Sequence, residues 1–194
     1  MSFYFFAWIS LIAYSTTEVF EKLTIKYLVQ NPWLFNFLSN IFQLIVLLPI
    51  LAVKGFGPVH NWPEIIYASI FWALGNIFFF LTLYYVDLSV LSPSFNLKTA
   101  FALLLGIIFL GERVTGQQWV LIGIIFISSI FISYDENLKL RAFFSKPMIF
   151  LFIDMLVLAV SNLFINRATA FTDFWTVTFW IQFFTIIIFV LLEV

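Results

Sequence analysis

Cysteine is absent from this chain, so disulfides and thiolate metal sites are excluded, and the redox compartment is left open. Histidine is almost absent too. The single one, His60, sits beside Asn61 and Trp62 in a short polar break, and without a second histidine no metal site is expected. Charge is scarce: 10% of the residues are Asp, Glu, Lys or Arg, and the formal net charge of -1 argues against a nucleic-acid partner. The chain also lacks a basic amino-terminal region, and its first apolar run continues past the length of a signal core, so that run is read as a retained helix. No metal or nucleophile constellation stands out, so neither catalytic residues nor a cofactor is expected, and the chain does not read as an enzyme.

What is abundant is apolar surface. Hydrophobic residues make up 63% of the chain, and the mean hydropathy is +1.09, more than a soluble domain could hide from water. Apolar stretches near the roughly 20 residues needed to cross a bilayer recur. Seven are read, at approximately 3–28, 32–53, 63–86, 89–110, 116–133, 147–170 and 174–193. They are long and unalternating, whereas barrel strands would alternate over about ten residues, so the fold class is an all-α polytopic membrane protein. The breaks agree. Asn31-Pro32 and Ser145-Lys146-Pro147 give a capping residue with proline following in the first turn, and Asn61 with Glu64, like Thr115 with Gln118, resembles a capping box. Pro93 falls near the start of the fourth span, where Ser92 is a candidate cap. Ser69 and Ala73, and separately Ala102 and Gly106, have the small-xxx-small spacing of closely packed membrane helices.

Lys98, in Ser94-Phe95-Asn96-Leu97-Lys98-Thr99, is the first site candidate, because a cation in hydrocarbon pairs with a counter-charge or faces a polar cavity. Let the face at residue 3 be side A, with depth counted at 1.5 Å per residue. Glu18 then lies ~22 Å from side A, Asn40 ~18 Å, Asn76 ~20 Å, Lys98 ~18 Å and Asp154 ~20 Å. Five polar side chains from five helices share one layer. Each also has a structural reading. Glu18 precedes Lys22 by four residues, the spacing of an intrahelical ion pair. Asn36, Asn40 and Gln43 make one face of the second span polar, suited either to another helix or to a solute. Asn76 alone fits interhelical hydrogen bonding. Lys22, Lys26 and Arg167 lie near span ends, where long basic side chains reach the interface. Glu112 and Arg113 occupy a turn at the membrane edge, with a structural role as helix-end charges. The 28 Phe, seven Trp and seven Tyr are expected to face lipid or to pack, with Trp8, Trp33, Trp62 and Trp175 at interfacial positions and none taken as a ligand.

The chain carries a faint internal repeat. Thr16-Thr17-Glu18-Val19-Phe20-Glu21-Lys22 aligns with Ser161-Asn162-Leu163-Phe164-Ile165-Asn166-Arg167. Beyond it Trp33 corresponds to Trp175, Phe37 to Phe179, Asn40 to Gln182 and Gln43 to Thr185. Spans six and seven therefore repeat spans one and two. An odd offset of five spans makes the second copy enter from the opposite face, as in the inverted repeats of many secondary transporters. Gln182 becomes a candidate for the other half's layer.

Phe101-Ala102-Leu103-Leu104-Leu105-Gly106-Ile107-Ile108-Phe109-Leu110-Gly111-Glu112-Arg113, followed by Thr115, Gln118 and Gly123, resembles the end of helix four, the Gly-Glu-Arg turn and the start of helix five in EamA-type members of the drug/metabolite transporter superfamily. The segment from Thr16 to Lys22 is similar to the first-helix pattern of that family, and the likeness spans essentially the whole chain. One departure is that a proline common in the family's helix four would fall near Thr99, whereas this chain has Pro93. The resemblance implies ten helices in two inverted five-helix repeats. Residues 1–133 would then be the first repeat, 134–146 a connecting loop and 147–194 an incomplete second repeat, so that the chain is expected to be a fragment. It further implies a secondary transporter of a small organic metabolite or drug in the plasma membrane, surrounded by lipid; the shared layer and the repeat, for their part, set Lys98, Glu18, Asp154, Asn40, Asn76 and Gln182 along the substrate or ion pathway. Lys98 would either bind an anionic group of the substrate or pair with Glu18 or Asp154, and one of those carboxylates could exchange protons during the cycle. A non-transporting polytopic protein, a receptor or assembly factor, is the competing class. The positive-inside rule puts residue 1 outside and the family plan puts it inside; the family plan is followed here.

Sequencing of the reading frame downstream of codon 194 is expected to reveal three further membrane helices. An immediate stop codon overturns the ten-helix plan.

Overall fold

The computed structural model describes residues 3–85, 88–111, 114–132 and 146–193. The described residues form seven α-helices and no strand: α1 (Phe3–Tyr27), α2 (Pro32–Lys54), α3 (Trp62–Tyr85), α4 (Leu88–Leu105), α5 (Gly116–Ile132), α6 (Lys146–Thr169) and α7 (Phe174–Glu193). Each coincides with one of the seven apolar stretches. Four segments, Pro32–Lys54, Trp62–Tyr85, Met148–Thr169 and Phe174–Leu192, are long and apolar enough to cross a membrane. α1 has the length, at 25 residues, but Glu18, Glu21, Lys22 and Lys26 crowd its second half. α4 holds Lys98 and passes into a π-helical turn, Gly106–Leu110. The connection from 134 to 145, with Glu112 and Arg113, lies outside the described residues.

Local chemistry sets most of the ends. Asn31 caps α2 by accepting from the backbone N–H groups of Trp33 and Leu34, with Pro32 at the first helical position, where its missing N–H costs nothing. Thr115 and Gln118 form a full capping box ahead of α5: Thr115 N–H donates to Gln118 Oε1 at 2.8 Å, and Gln118 N–H donates to Thr115 Oγ1 at 3.4 Å. Asp173 caps α7 through Trp175 and Thr176 N–H at 3.0 and 3.2 Å. The expected side-chain cap at Asn61 is not found among the described residues. There Ile65 N–H bonds the Asn61 carbonyl at 3.4 Å, which closes the first turn by backbone alone. α4 begins at Leu88, so Ser92 and Pro93 lie within the helix and not at its cap. The π turn ends at Gly111, whose φ of +66° is a left-handed conformation open to glycine, and Gly111 N–H closes onto the Gly106 carbonyl.

α3 is the hub. It packs most extensively against α6 and also against α7, α2 and α1; α6 reaches on to α4, α7 to α2, and α5 rests on α4. Two membrane helices gain little by hiding apolar surface from lipid, so their association depends on close approach and interhelical hydrogen bonds. Both occur on α3. Ala68, Ser69 and Ala73 are fully or almost fully buried there. Ser161 Oγ of α6 donates to the Ala68 carbonyl at 3.0 Å, and Thr185 Oγ1 of α7 donates to the Ser69 carbonyl at 3.4 Å. At Gly75 an added β-carbon would meet the Leu158 side chain, which would have to move aside, so the glycine allows α6 to pack closely on α3 with Leu158 in its present place. Outside the bundle, the loop after α2 is pinned to the start of α7, since Gly57 N–H donates to Thr176 Oγ1 at 2.9 Å and His60 N–H to Thr172 Oγ1 at 3.4 Å.

Two buried apolar clusters flank the middle of the bundle. One gathers Ile25, Phe35, Phe80, Leu83, Leu97, Met148, Leu151 and Met155, and the other Ile65, Ala68, Ala168, Val177 and Ile181. By helix position the first lies toward side B and the second toward side A. The polar layer lies between them.

Gly75→Val is expected to lower the apparent melting temperature of the detergent-solubilised protein, at an overpacking cost of about 1–3 kcal/mol. Adding Leu158→Ala to the same chain should recover part of the loss, a recovery that an α3 defect unrelated to α6 would not show.

Candidate functional site

Between the two clusters lies a cavity of about 250 Å³, walled by five helices. α1 contributes Tyr14, Thr17, Glu18 and Glu21, which follow the i, i+3, i+4, i+7 rhythm of a single helix face. Lys98 enters from α4, Gln43 from α2, Trp72, Asn76 and Phe79 from α3, and Leu158 from α6. A lysine and two carboxylates therefore border one space, with amides, hydroxyls and the aromatic rings of Tyr14, Trp72 and Phe79 around them.

The residues singled out from sequence divide in the structure. Lys98, Glu18 and Asn76 are brought together at the cavity wall, and Glu18 is only 6% exposed. Asn76 Nδ2 donates to the Trp72 carbonyl of its own helix at 2.8 Å, while its backbone carbonyl accepts from Asn36 Nδ2 of α2 at 3.2 Å. Asn40 is buried and outside the lining. Its Nδ2 donates to the Asn36 carbonyl at 2.7 Å, and its Oδ1 has no hydrogen-bond partner among the described residues. Gln182 is also buried, and its Nε2 donates to Gln43 Oε1 at 2.7 Å, linking α7 to a cavity-lining residue. Asp154 is wholly buried and outside the lining, and neither of its oxygens has a hydrogen-bond partner among the described residues. The polar face of α2 thus does both jobs left open for it: Asn36 contacts α3 and Gln43 reaches the cavity.

Tyr14, Thr17, Glu21, Trp72, Phe79 and Leu158 were not anticipated. Spacing offered a signal for the first three, because they share a helix face with Glu18. Nothing in the pattern marks Trp72 or Phe79 among so many aromatic residues. Elsewhere aromatics act as expected at span ends: Trp62 meets Trp180 edge to face at 5.1 Å, and Lys54 Nζ stands 5.1 Å from the Trp175 ring centroid. The terminal basic residues do more than reach for water. Lys22 Nζ donates to the Leu83 carbonyl at the end of α3, and Arg167 Nη2 donates to the Phe109 carbonyl in the π turn at 3.2 Å. A second cavity of about 350 Å³ between the ends of α1 and α3 is bordered by Lys22, Lys26, Gln30 and Tyr84.

With several helices long and apolar enough to cross a membrane, set about a polar cavity, the protein is an integral membrane protein. The model of the EamA-like transporter family matches residues 1–134, more than half of the chain, and the chain belongs to that family. The family consists of membrane transporters of the drug/metabolite type and not of enzymes. No match is found among curated proteins or among solved structures.

The Gln43–Gln182 bond is expected to contribute the ~0.5–1.5 kcal/mol of an ordinary intramolecular hydrogen bond. In a double-mutant cycle of Gln43→Ala and Gln182→Ala, read by thermal unfolding in detergent, the two losses should be non-additive. Additive losses would mean that the two amides act independently.

Proposed function

We propose that the protein is a secondary transporter that carries a small organic metabolite through its central cavity by alternating access, in the plasma membrane. One observation carries this reading: a lysine, two carboxylates and two amides converge on a cavity of about 250 Å³ inside a helix bundle. Ionisable groups within a membrane are expensive to keep and mark pathways and relays. A chain that needed polarity only for packing would satisfy those groups against one another and leave no space between them.

In this scheme Lys98 receives an anionic group of the substrate, and Gln43 and Asn76 supply hydrogen bonds around it. Trp72 and Phe79 offer surface to an apolar body. Asn40 and Gln182 hold α2 and α7 in register beside the pathway, and a carboxylate facing Lys98 exchanges a proton during the cycle. The two sets of helices, α1 to α5 and the set opened by α6 and α7, stand as inverted repeats that rock against each other around the cavity, as such repeats do in secondary transporters. The short side chains along α3 suit that motion, since they let helices slide without unlocking long side chains.

Lys98→Ala is expected to lower uptake into vesicles at least about tenfold, the factor that ~1.4 kcal/mol of lost interaction produces. Lys26→Ala should stay within about twofold of the unmodified protein, since a basic side chain at a helix end reaches the interface on its own. The two variants are compared at equal membrane expression with an identified substrate. Equal activity in both, near that of the unmodified chain, removes Lys98 from the pathway.

A further inference from the structure

We propose that the second cavity, between the ends of α1 and α3, is a binding site for the phosphodiester headgroup of an anionic membrane lipid, held by Lys22 and Lys26. It shares no lining residue with the central cavity. The site therefore stands apart from the central pathway, and its occupancy is measured as bound lipid and not as uptake.

Lys22, Ile25 and Lys26 come from the last turns of α1, and Leu83 and Tyr84 from the end of α3. The chain after α1 is fixed on both sides of Gln30. Before it, the Leu28 and Val29 N–H groups share the Thr24 carbonyl at 2.8 and 2.9 Å, and after it Asn31 caps α2, which sets Gln30 in the cavity wall. Lys22 Nζ donates to the Leu83 carbonyl, so its ammonium is placed between the two helices. Lys26 Nζ stands 5.3 Å from the ring centroid of Tyr27, an exposed residue. Buried Ile25 and Leu83 give the cavity an apolar floor.

Every polar side chain on the described wall can donate a hydrogen bond: two ammonium groups, the Gln30 amide and the Tyr84 hydroxyl. No carboxylate is among the described lining residues. Glu18 and Glu21, the carboxylates of α1, line the central cavity, and Asp87, beyond the end of α3, lies outside the described residues. Two cations one helical turn apart repel each other, and an anion between them is attracted by both. Helix-end complementarity explains Lys26, in the last turn of α1, and the bond to Leu83 explains where Lys22 stands. Neither explains why the two share a cavity of about 350 Å³, a volume within the ~300–1,000 Å³ of ligand sites.

The surroundings favour a lipid over free phosphate. Leu23, Tyr27 and Leu28, next to the lysines in the chain, are exposed, as are Tyr84 and Tyr85 at the end of α3. Apolar and aromatic side chains at span ends meet acyl chains and headgroups at the membrane interface, and basic pockets between membrane helices bind anionic headgroups there.

Native mass spectrometry of the intact chain in detergent, titrated with phosphatidylglycerol or with zwitterionic phosphatidylcholine, tests the charge recognition. Phosphatidylglycerol is expected to occupy one site at least about tenfold more tightly, and Lys22→Gln/Lys26→Gln to bring the two lipids within about twofold of each other. Lys26→Gln alone leaves the Lys22–Leu83 bond in place. It should weaken phosphatidylglycerol binding about fivefold, the factor given by ~1 kcal/mol for one basic residue at an anionic surface. Lys54→Gln, at the opposite end of α2, should keep the full preference. A preference undiminished in both Lys26→Gln and the double variant overturns the site, and so does an equal loss in Lys54→Gln, which would make the preference a matter of net charge. Because the chain has no cysteine, one introduced thiol locates the lipid. The thiol of Gln30→Cys should be shielded from a maleimide by phosphatidylglycerol and not by inorganic phosphate, while that of Gly116→Cys, exposed at the start of α5, reacts alike with and without lipid. Equal shielding of Gln30→Cys by inorganic phosphate makes the occupant a free anion and overturns the lipid. Shielding by neither overturns the site.

Discussion

A lysine side chain set into the wall of a cavity among apolar helices is the constraint to which the rest of this protein answers. Lys98 sits on α4 between apolar neighbours, and hydrocarbon offers it nothing. The bundle surrounds it with what hydrocarbon lacks: the polar stripe of α1 and amides from α2 and α3. Apolar clusters on either side keep this polar region to a single layer.

Packing serves the same end by being tight in one place and open in another. α3 carries its small residues where α6 and α7 press against it and its large ones, Trp72 and Phe79, where the cavity needs a wall. Since membrane helices are not driven together by water, contact at Gly75 and hydrogen bonds to the Ala68 and Ser69 carbonyls hold them by fit and direction. The π turn after α4 follows the same logic. Its extra residue frees carbonyl oxygen, and Arg167 of α6 supplies the missing donor.

The helices were legible because membrane spans are written in long apolar runs and closed by local chemistry, as at Asn31-Pro32 and Thr115 with Gln118. Lys98 and Glu18, both on the cavity wall, stand out in the sequence for a related reason: ionisable residues are conspicuous among apolar ones. Depth counted along helices brought out a common layer, but depth carries no information about rotation around the helix axis. That is why Asn40, at the right depth, points into packing, while Glu21, one turn beyond Glu18, lines the cavity. Trp72 and Phe79 were hidden by numbers, since an aromatic residue in a chain of this composition carries almost no positional signal. Asn61 shows the opposite failure. The capping-box pattern is present, yet among the described residues only the ordinary first backbone bond, Ile65 N–H to the Asn61 carbonyl, is formed there.

The acidic stripe on α1 also bears on biogenesis. α1 packs on α3 and α4 and lies at the edge of the bundle, with nearly all of residues 4–17 exposed. Its carboxylates are therefore made before the elements that shelter them. Lys98 follows Glu18 by roughly 80 residues, which at about 5–20 residues per second means several seconds of synthesis. During that interval the first helix is a poor resident of the lipid bilayer and a good one of the protein-lined exit of the insertion machinery. Its full packing needs α3 and α4, so the helix that is translated first depends on helices translated after it.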